Sequence, residues 1–171
     1  MTTKWLDQPE LAAWIRLASV LELLPGALDS QLRRDNGLTH FEYFVLAMLS
    51  EAPERTLRMT ALAQHTSATL PRLSHVVRRL EDRGLIERCP CPTDARATNA
   101  RLTDAGWDKI REAAPGHVAT VREHVIDALT PEQVTQLTAI ADAILTRLDP
   151  EGRMSDVYRR YDSGAESRGT P

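Results

Sequence analysis

The residues of this chain richest in chemistry lie between Thr69 and Arg96, and most of them are arginines. Arg72, Arg78 and Arg79 share one short stretch with Ser74 and His75. What these side chains have in common is hydrogen-bond donation to anions and to acceptor-rich base edges. A guanidinium offers five donors in a planar fork and stays charged at any working pH. Between His65 and Arg101 seven arginines (Arg72, Arg78, Arg79, Arg83, Arg88, Arg96 and Arg101) stand against four acids (Glu81, Asp82, Glu87 and Asp94). That stretch is basic inside a chain whose net charge is −3. A basic segment in an acidic frame suits a surface that meets nucleic acid, although a solvated helix face produces the same pattern.

The elements that must position these arginines follow from periodicity. Leu73, Val76, Val77 and Leu80 recur at i, i+3, i+4 and i+7, which predicts a helix over Leu70–Arg83 with one apolar stripe. Pro71 falls in its first turn and Gly84 just past its end. Turning the stripe inward leaves Leu70, Arg72, Ser74, His75, Arg78 and Arg79 outward. Arg72, Ser74 and His75, near the N-terminal end, are the candidates for base edges, and Thr69 and Leu70 at its start join the DNA-contacting set. Arg78 and Arg79 are placed further along, where phosphates are the expected neighbours.

A short helix over Ala61–Thr66, capped by Thr60, precedes this one across the turn Thr66–Thr69, giving a helix-turn-helix order. Beyond Gly84, Leu85–Cys89 and Thr98–Leu102 read as two short strands around an eight-residue loop, with Arg96 near its tip. An arginine there can enter the narrow, negative minor groove. Asp94, two residues before, can hold the loop or orient Arg96.

The flanking segments are helical. Leu11, Trp14, Ile15, Ala18, Leu21 and Leu24 mark an amphipathic helix from Asp7 that Pro25-Gly26 should kink or end, with helical character resuming to Arg34. Thr39-His40-Phe41-Glu42 is a capping box opening a second helix through Leu49. Thr103 caps a long helix to about Leu129, bent near Pro115-Gly116, and Thr130-Pro131-Glu132-Gln133 opens another to Leu148. The expected fold is mainly α with a small β wing. Residues 1–37 form an N-terminal dimerisation helix, 38–103 a winged helix-turn-helix lobe, 104–149 C-terminal dimerisation helices and 150–171 a flexible tail. The apolar stripes of the outer helices exceed what so small a lobe can cover, which predicts a symmetric homodimer.

Trp14, Phe41, Phe44, Met48, Trp107 and Arg111 are candidates to line a small-molecule cleft where these helices meet; core packing is the alternative for the same residues. Cys89 and Cys91 flank a single proline. They suit neither a disulfide framework nor a CxxC pair, and a Cys-Pro-Cys ring would be strained. A thiol beside Arg88 nonetheless leaves open a thiol- or metal-responsive regulator on the same scaffold. No metal-ligand spacing is recognisable, and no cofactor is expected. No nucleophile elbow or phosphate loop frames the Ser, His and Asp residues, which argues against an enzyme. The N-terminus lacks the apolar stretch of a signal peptide and no apolar run approaches the ~20 residues that span a bilayer, so a cytoplasmic protein with no membrane partner is expected.

From Leu38 to Gly106 the chain resembles the MarR family of bacterial transcriptional regulators. The resemblance rests on Leu38-Thr39 with the apolar helix after it, Leu62-Ala63, the run Leu80–Arg88, and Asp94-x-Arg96 followed by Leu102-Thr103-x-x-Gly106, all in order and spacing. It implies a homodimer that places one recognition helix per subunit in adjacent major grooves of a pseudo-palindromic duplex DNA site. It also implies a regulator, in the usual case a repressor, released when a small aromatic or phenolic effector binds between the dimer helices and the DNA-binding lobe. Two departures stand out: the wing reads Asp94-Ala95-Arg96 where Asp-Arg-Arg is common, and Pro71 lies within the recognition helix.

Overall fold

The computed structural model describes residues 2–162. The expectation of a flexible tail falls partly on residues 163–171, which lie outside the described residues.

Helix α1 (Gln8–Asn36) opens on a capping box in which the Asp7 carboxylate accepts the Glu10 amide at 2.8 Å and the Glu10 carboxylate accepts the Asp7 amide at 3.0 Å. It closes on Gly37, whose φ of 65° is the left-handed cap that glycine adopts without a Cβ clash. The expectation that the helix ends at Pro25-Gly26 is corrected, because α1 continues through both residues. Pro25 is solvent-exposed, so water can satisfy the carbonyl that its missing N–H leaves free. The continuous helix also corrects the expectation that no apolar run reaches spanning length. By length and composition α1 is apolar enough to cross a membrane, with a mean hydropathy of 1.5 in its most apolar window, little of it buried within the chain.

Helix α2 (His40–Ser50) carries the predicted capping box, with Thr39 Oγ1 accepting the Glu42 amide at 3.0 Å and Glu42 Oε2 accepting the Thr39 amide at 2.8 Å. Strand β1 (Thr56–Arg58) then leads directly into α3 (Met59–His65). The Thr60 cap is not realised: the N-cap position is Arg58, which makes no side-chain cap bond. Helix α4 (Leu70–Asp82) follows.

The wing departs from the expected pair of short strands around a long loop. Strands β2 (Ile86–Cys91) and β3 (Asp94–Leu102) reach a tight turn at Pro92-Thr93, with Cys91 opposite Asp94 and a bulge at Pro90/Cys91. β1 adds a third antiparallel strand on the far side of β3, pairing Thr56 with Arg101 and Arg58 with Asn99, so the sheet order is β1-β3-β2.

Helix α5 (Asp104–His124) is capped by Thr103 and passes through exposed Pro115 without breaking; a 3-10 turn over Ile126–Ala128 separates it from α6 (Pro131–Leu148). Of the tail, residues through Asp162 are among the described residues. They include α7 (Ser155–Tyr158), whose neighbour Arg160 pairs with Glu51 and whose Val157 packs on the core.

One core unites these elements. Leu32 of α1, Leu46 and Leu49 of α2, Leu62 of α3, Leu73, Val77 and Leu80 of α4, Ile86 of β2 and Ile110 of α5 all lie within it. Burial of each such side chain is worth about 1.5–3 kcal/mol, so the stripe of α4 fixes the helix's rotation and aims its other face outward. The outer helices differ: no residue of α6 is buried, and Trp14, Ile15, Leu21, Ile140 and Leu148 stand largely in solvent.

Candidate nucleic-acid interface

Helix α4 presents the predicted face. Leu73, Val77 and Leu80 are fully buried and Val76 half-buried, while Leu70, Arg72, His75, Arg78 and Arg79 are exposed and Ser74 half-exposed. Thr69 caps the helix, its hydroxyl accepting the Arg72 amide at 3.4 Å, and Pro71 sits where no intrahelical donor is needed. The unpaired amides of this first turn point outward with the positive end of the helix dipole.

The arginines of this face are held in three ways. Arg72 lies over the Phe41 ring of α2, its Cζ 4.2 Å from the centroid. Arg79 and Arg83 form ion pairs with the buried carboxylate of Glu42, at 3.0 and 3.7 Å, while Glu42 Oε1 accepts no hydrogen bond among the described residues. Arg78 has no ion pair among the described residues. Arg79, expected to face phosphate, keeps half of its side chain exposed while its charge is drawn toward the buried Glu42 carboxylate.

Arg96 is placed differently from the expectation too. It lies within β3 rather than near the tip of a long loop, because the strands extend almost to the turn. Asp94 accepts the Arg96 amide at 3.1 Å and pairs at 3.7 Å with Arg58, not with the Arg96 guanidinium. Arg58 also donates to Cys91 Sγ and to Thr93 Oγ1, both at 3.4 Å, and so ties β1 to the wing turn. Hydrogen bonds from the Thr93 hydroxyl and from Arg58 hold the Cys91 thiol below its ordinary pKa. Cys91 and Cys89 are both free, Cys91 buried.

Between α4 and the wing runs a cleft of about 300 Å³ lined by Leu70 and Ser74 on one side and Arg58, Arg88 and Arg96 on the other. Arg58 and Arg88 are the residues the sequence reading missed here. Arg88 counted toward the basic stretch and stood beside the thiols but was not placed at the DNA face, and Arg58 gained its place through the unforeseen pairing of β1 with β3. Arg88 is anchored by Glu81, which takes its backbone amide at 3.1 Å and its guanidinium at 2.7 and 2.9 Å; these bonds hold the Glu81 carboxyl below its usual range.

The six candidates for a ligand cleft divide. Phe41, Phe44, Met48 and Trp107 pack in or against the core, whereas Trp14 and Arg111 are exposed outside it. Trp107 carries the Arg55 guanidinium 4.3 Å above its ring. Nearby, His117 of α5 lies 4.3 Å from Tyr43 and 5.9 Å from His40, ring to ring, and burial lowers both histidine pKa values and raises that of Tyr43.

Comparison with known proteins agrees with this architecture. A family model described as MarR family matches residues 36–97. The chain is 44% identical to Sco3205, a MarR family transcriptional regulator from Streptomyces coelicolor solved in complex with DNA, over 87% of this chain and 93% of that one, with a TM-score of 0.84. It is 29% identical to the HTH-type transcriptional regulator MhqR of Bacillus subtilis, over 78% of this chain and 89% of that protein. It is 27% identical to the HTH-type transcriptional repressor IacR of Pseudomonas putida, over 61% of each. With the helix-turn-helix, the wing and the outer helices in the same arrangement as a relative of this identity, the chain belongs to the MarR family of transcriptional regulators.

Proposed function

We propose that the protein is a homodimeric repressor that binds a pseudo-palindromic duplex DNA site and is released by a small aromatic or phenolic ligand. The observation that carries the reading is the arginine-bearing outer face of α4 beside a wing that adds Arg58, Arg88 and Arg96. A helix of this width fits the major groove, with Thr69, Leu70, Arg72, Ser74 and His75 nearest the bases and Arg78 nearest phosphate. Arg96 reaches toward the adjoining minor groove, with Asp94 shaping its strand. The DNA-bound state of Sco3205 supports this placement, and the repressor name of IacR supports the direction of control. A regulator of this kind works where the genome is, in the cytoplasm.

The dimer follows from the outer helices. The exposed apolar residues of α1 and α6 need a cover of the same kind, and a second copy supplies it with two-fold symmetry. Two α4 helices then fall about 34–36 Å apart, one turn of DNA. The effector is assigned to the junction of α1, α2 and α5, among Trp14, Phe41, Phe44, Met48, Trp107 and Arg111.

Titration of the full chain onto its own upstream DNA across a salt series tests the reading. Affinity should fall steeply as salt rises, with a dimer by light scattering and loss of binding on addition of one of a panel of aromatic acids. Absent or salt-independent binding would overturn the DNA reading. A monomer would overturn the dimer, and indifference to every acid in the panel the effector class.

A further inference from the structure

We propose that Phe41 is a positioning residue for base reading, a platform that presents the Arg72 guanidinium edge-on to the major groove. This inference rests on the DNA reading above and names the device that sets its specificity.

The argument starts from how a guanidinium can be held. An acid takes its in-plane donors, and those donors are then no longer free for a base. An aromatic face takes the flat side of the cation and leaves the whole fork available. The structure holds some arginines by an acid and Arg72 over a ring. Glu81 takes Nε and Nη2 of Arg88 as hydrogen bonds and Glu87 takes Nε of Arg101, whereas Arg79 and Arg83 lie beside the Glu42 carboxylate as ion pairs without a hydrogen bond. Arg72 has no ion pair and no side-chain hydrogen bond among the described residues; it lies over Phe41 at 4.2 Å. Arg78 and Arg96 make no ion pair and lie over no ring among the described residues, which suits sequence-blind phosphate contact.

Position adds to chemistry. Arg72 is in the first turn of α4, the part of a recognition helix that reaches base edges. Bidentate donation to the O6 and N7 of guanine needs a fork fixed in plane, and a free arginine loses rotamer entropy to achieve it. The platform itself is fixed. Phe41 is the second residue of α2, half-buried against the core, between the Thr39 cap and the Glu42 carboxylate that grips α4.

The experiment compares wild type, Arg72→Ala, Phe41→Leu, Phe41→Trp and a chain with pentafluorophenylalanine at position 41. The fluorinated ring keeps the shape of Phe41 and reverses its quadrupole, so it tests the stack even if Phe41→Leu fails to fold. Each chain is titrated against the duplex that the wild type selects from a randomised pool, and against every single-base-pair variant of it. Arg72→Ala should flatten discrimination at one base pair per half-site. Phe41→Leu and the fluorinated chain should cut discrimination at that same pair by about three- to tenfold, with other positions and the salt slope unchanged, and Phe41→Trp should restore it. If Arg72→Ala flattens a position that both Phe41 changes leave sharp, the platform is refuted while Arg72 remains a base reader. If Arg72→Ala flattens no position, the base-reading assignment of Arg72 falls and the platform with it. An equal loss on every duplex for the fluorinated chain would reduce Phe41 to packing and overturn the proposal.

Discussion

Glu42 on α2 and Arg79 on α4 are joined by a 3.0 Å contact between Oε1 and Nη2, with Arg83 3.7 Å from the other carboxylate oxygen. The same carboxylate completes the capping box of α2 through the Thr39 amide. One buried acid therefore caps the start of α2 and pairs with the C-terminal half of α4. Glu42→Gln keeps the shape and the cap acceptor but removes the charge that draws in the two guanidinium groups. Because both arginines keep access to water, the cost should be about 2 kcal/mol, below the range for a fully buried pair. Urea denaturation measures it, and in a double-mutant cycle Arg79→Ala should add little once position 42 is glutamine. Full additivity would mean the contact is slack.

The wing carries one positive charge fewer than the family pattern, with Ala95 between Asp94 and Arg96. Arg96→Ala should weaken binding to all duplexes by a similar factor and lower the salt slope by about one unit; Ala95→Arg should tighten binding and raise the slope by about one unit. Titrations at four salt concentrations check both. A change confined to one DNA sequence would show that Arg96 reads bases instead.

Gly106 is required by close approach. A Cβ there would stand 2.1 Å from the Leu85 carbonyl oxygen and 2.6 Å from Leu102 Cδ1. Gly106→Ala must therefore push the start of α5 away from the wing, and Thr103, which caps α5 and donates to the Gly84 carbonyl at 2.6 Å, would lose one of its two bonds. The expected loss is about 3 kcal/mol, read as a fall in thermal midpoint. An unchanged midpoint would mean that the two elements separate freely.

His40 and His117 lie half-buried against each other with pKa values lowered from about 6.5, chiefly by burial. Their folded-state values lie below the unfolded ones, so the unfolded chain binds more protons in the window between them. Stability should rise with pH up to about 6.5 and be lost as the pH falls below it. His40→Gln with His117→Gln should flatten this slope in denaturation at a series of pH values. A slope that survives the double change would assign it to other groups.

Much of this molecule was legible in its sequence because the signals are local. The stripe Leu73, Val77 and Leu80 determined which face of α4 turns outward, and the Thr39–Glu42 and Thr130–Gln133 boxes marked where helices begin. The MarR resemblance rested on spacing of the same local kind. Prolines misled where exposure decided the outcome: Pro25 and Pro115 sit inside continuous helices because solvent takes the carbonyls they free. Only the tertiary structure decided what each arginine does. Seven of them look alike between His65 and Arg101, yet one lies on a ring from α2, others are gripped by a buried acid and others are bare. Those differences arise from residues some thirty or more positions apart in the chain, Phe41 with Arg72 and Glu42 with Arg79, that meet only when the core closes. Periodicity fixes the direction of a side chain from its own helix. Its partner is set by the packing of another.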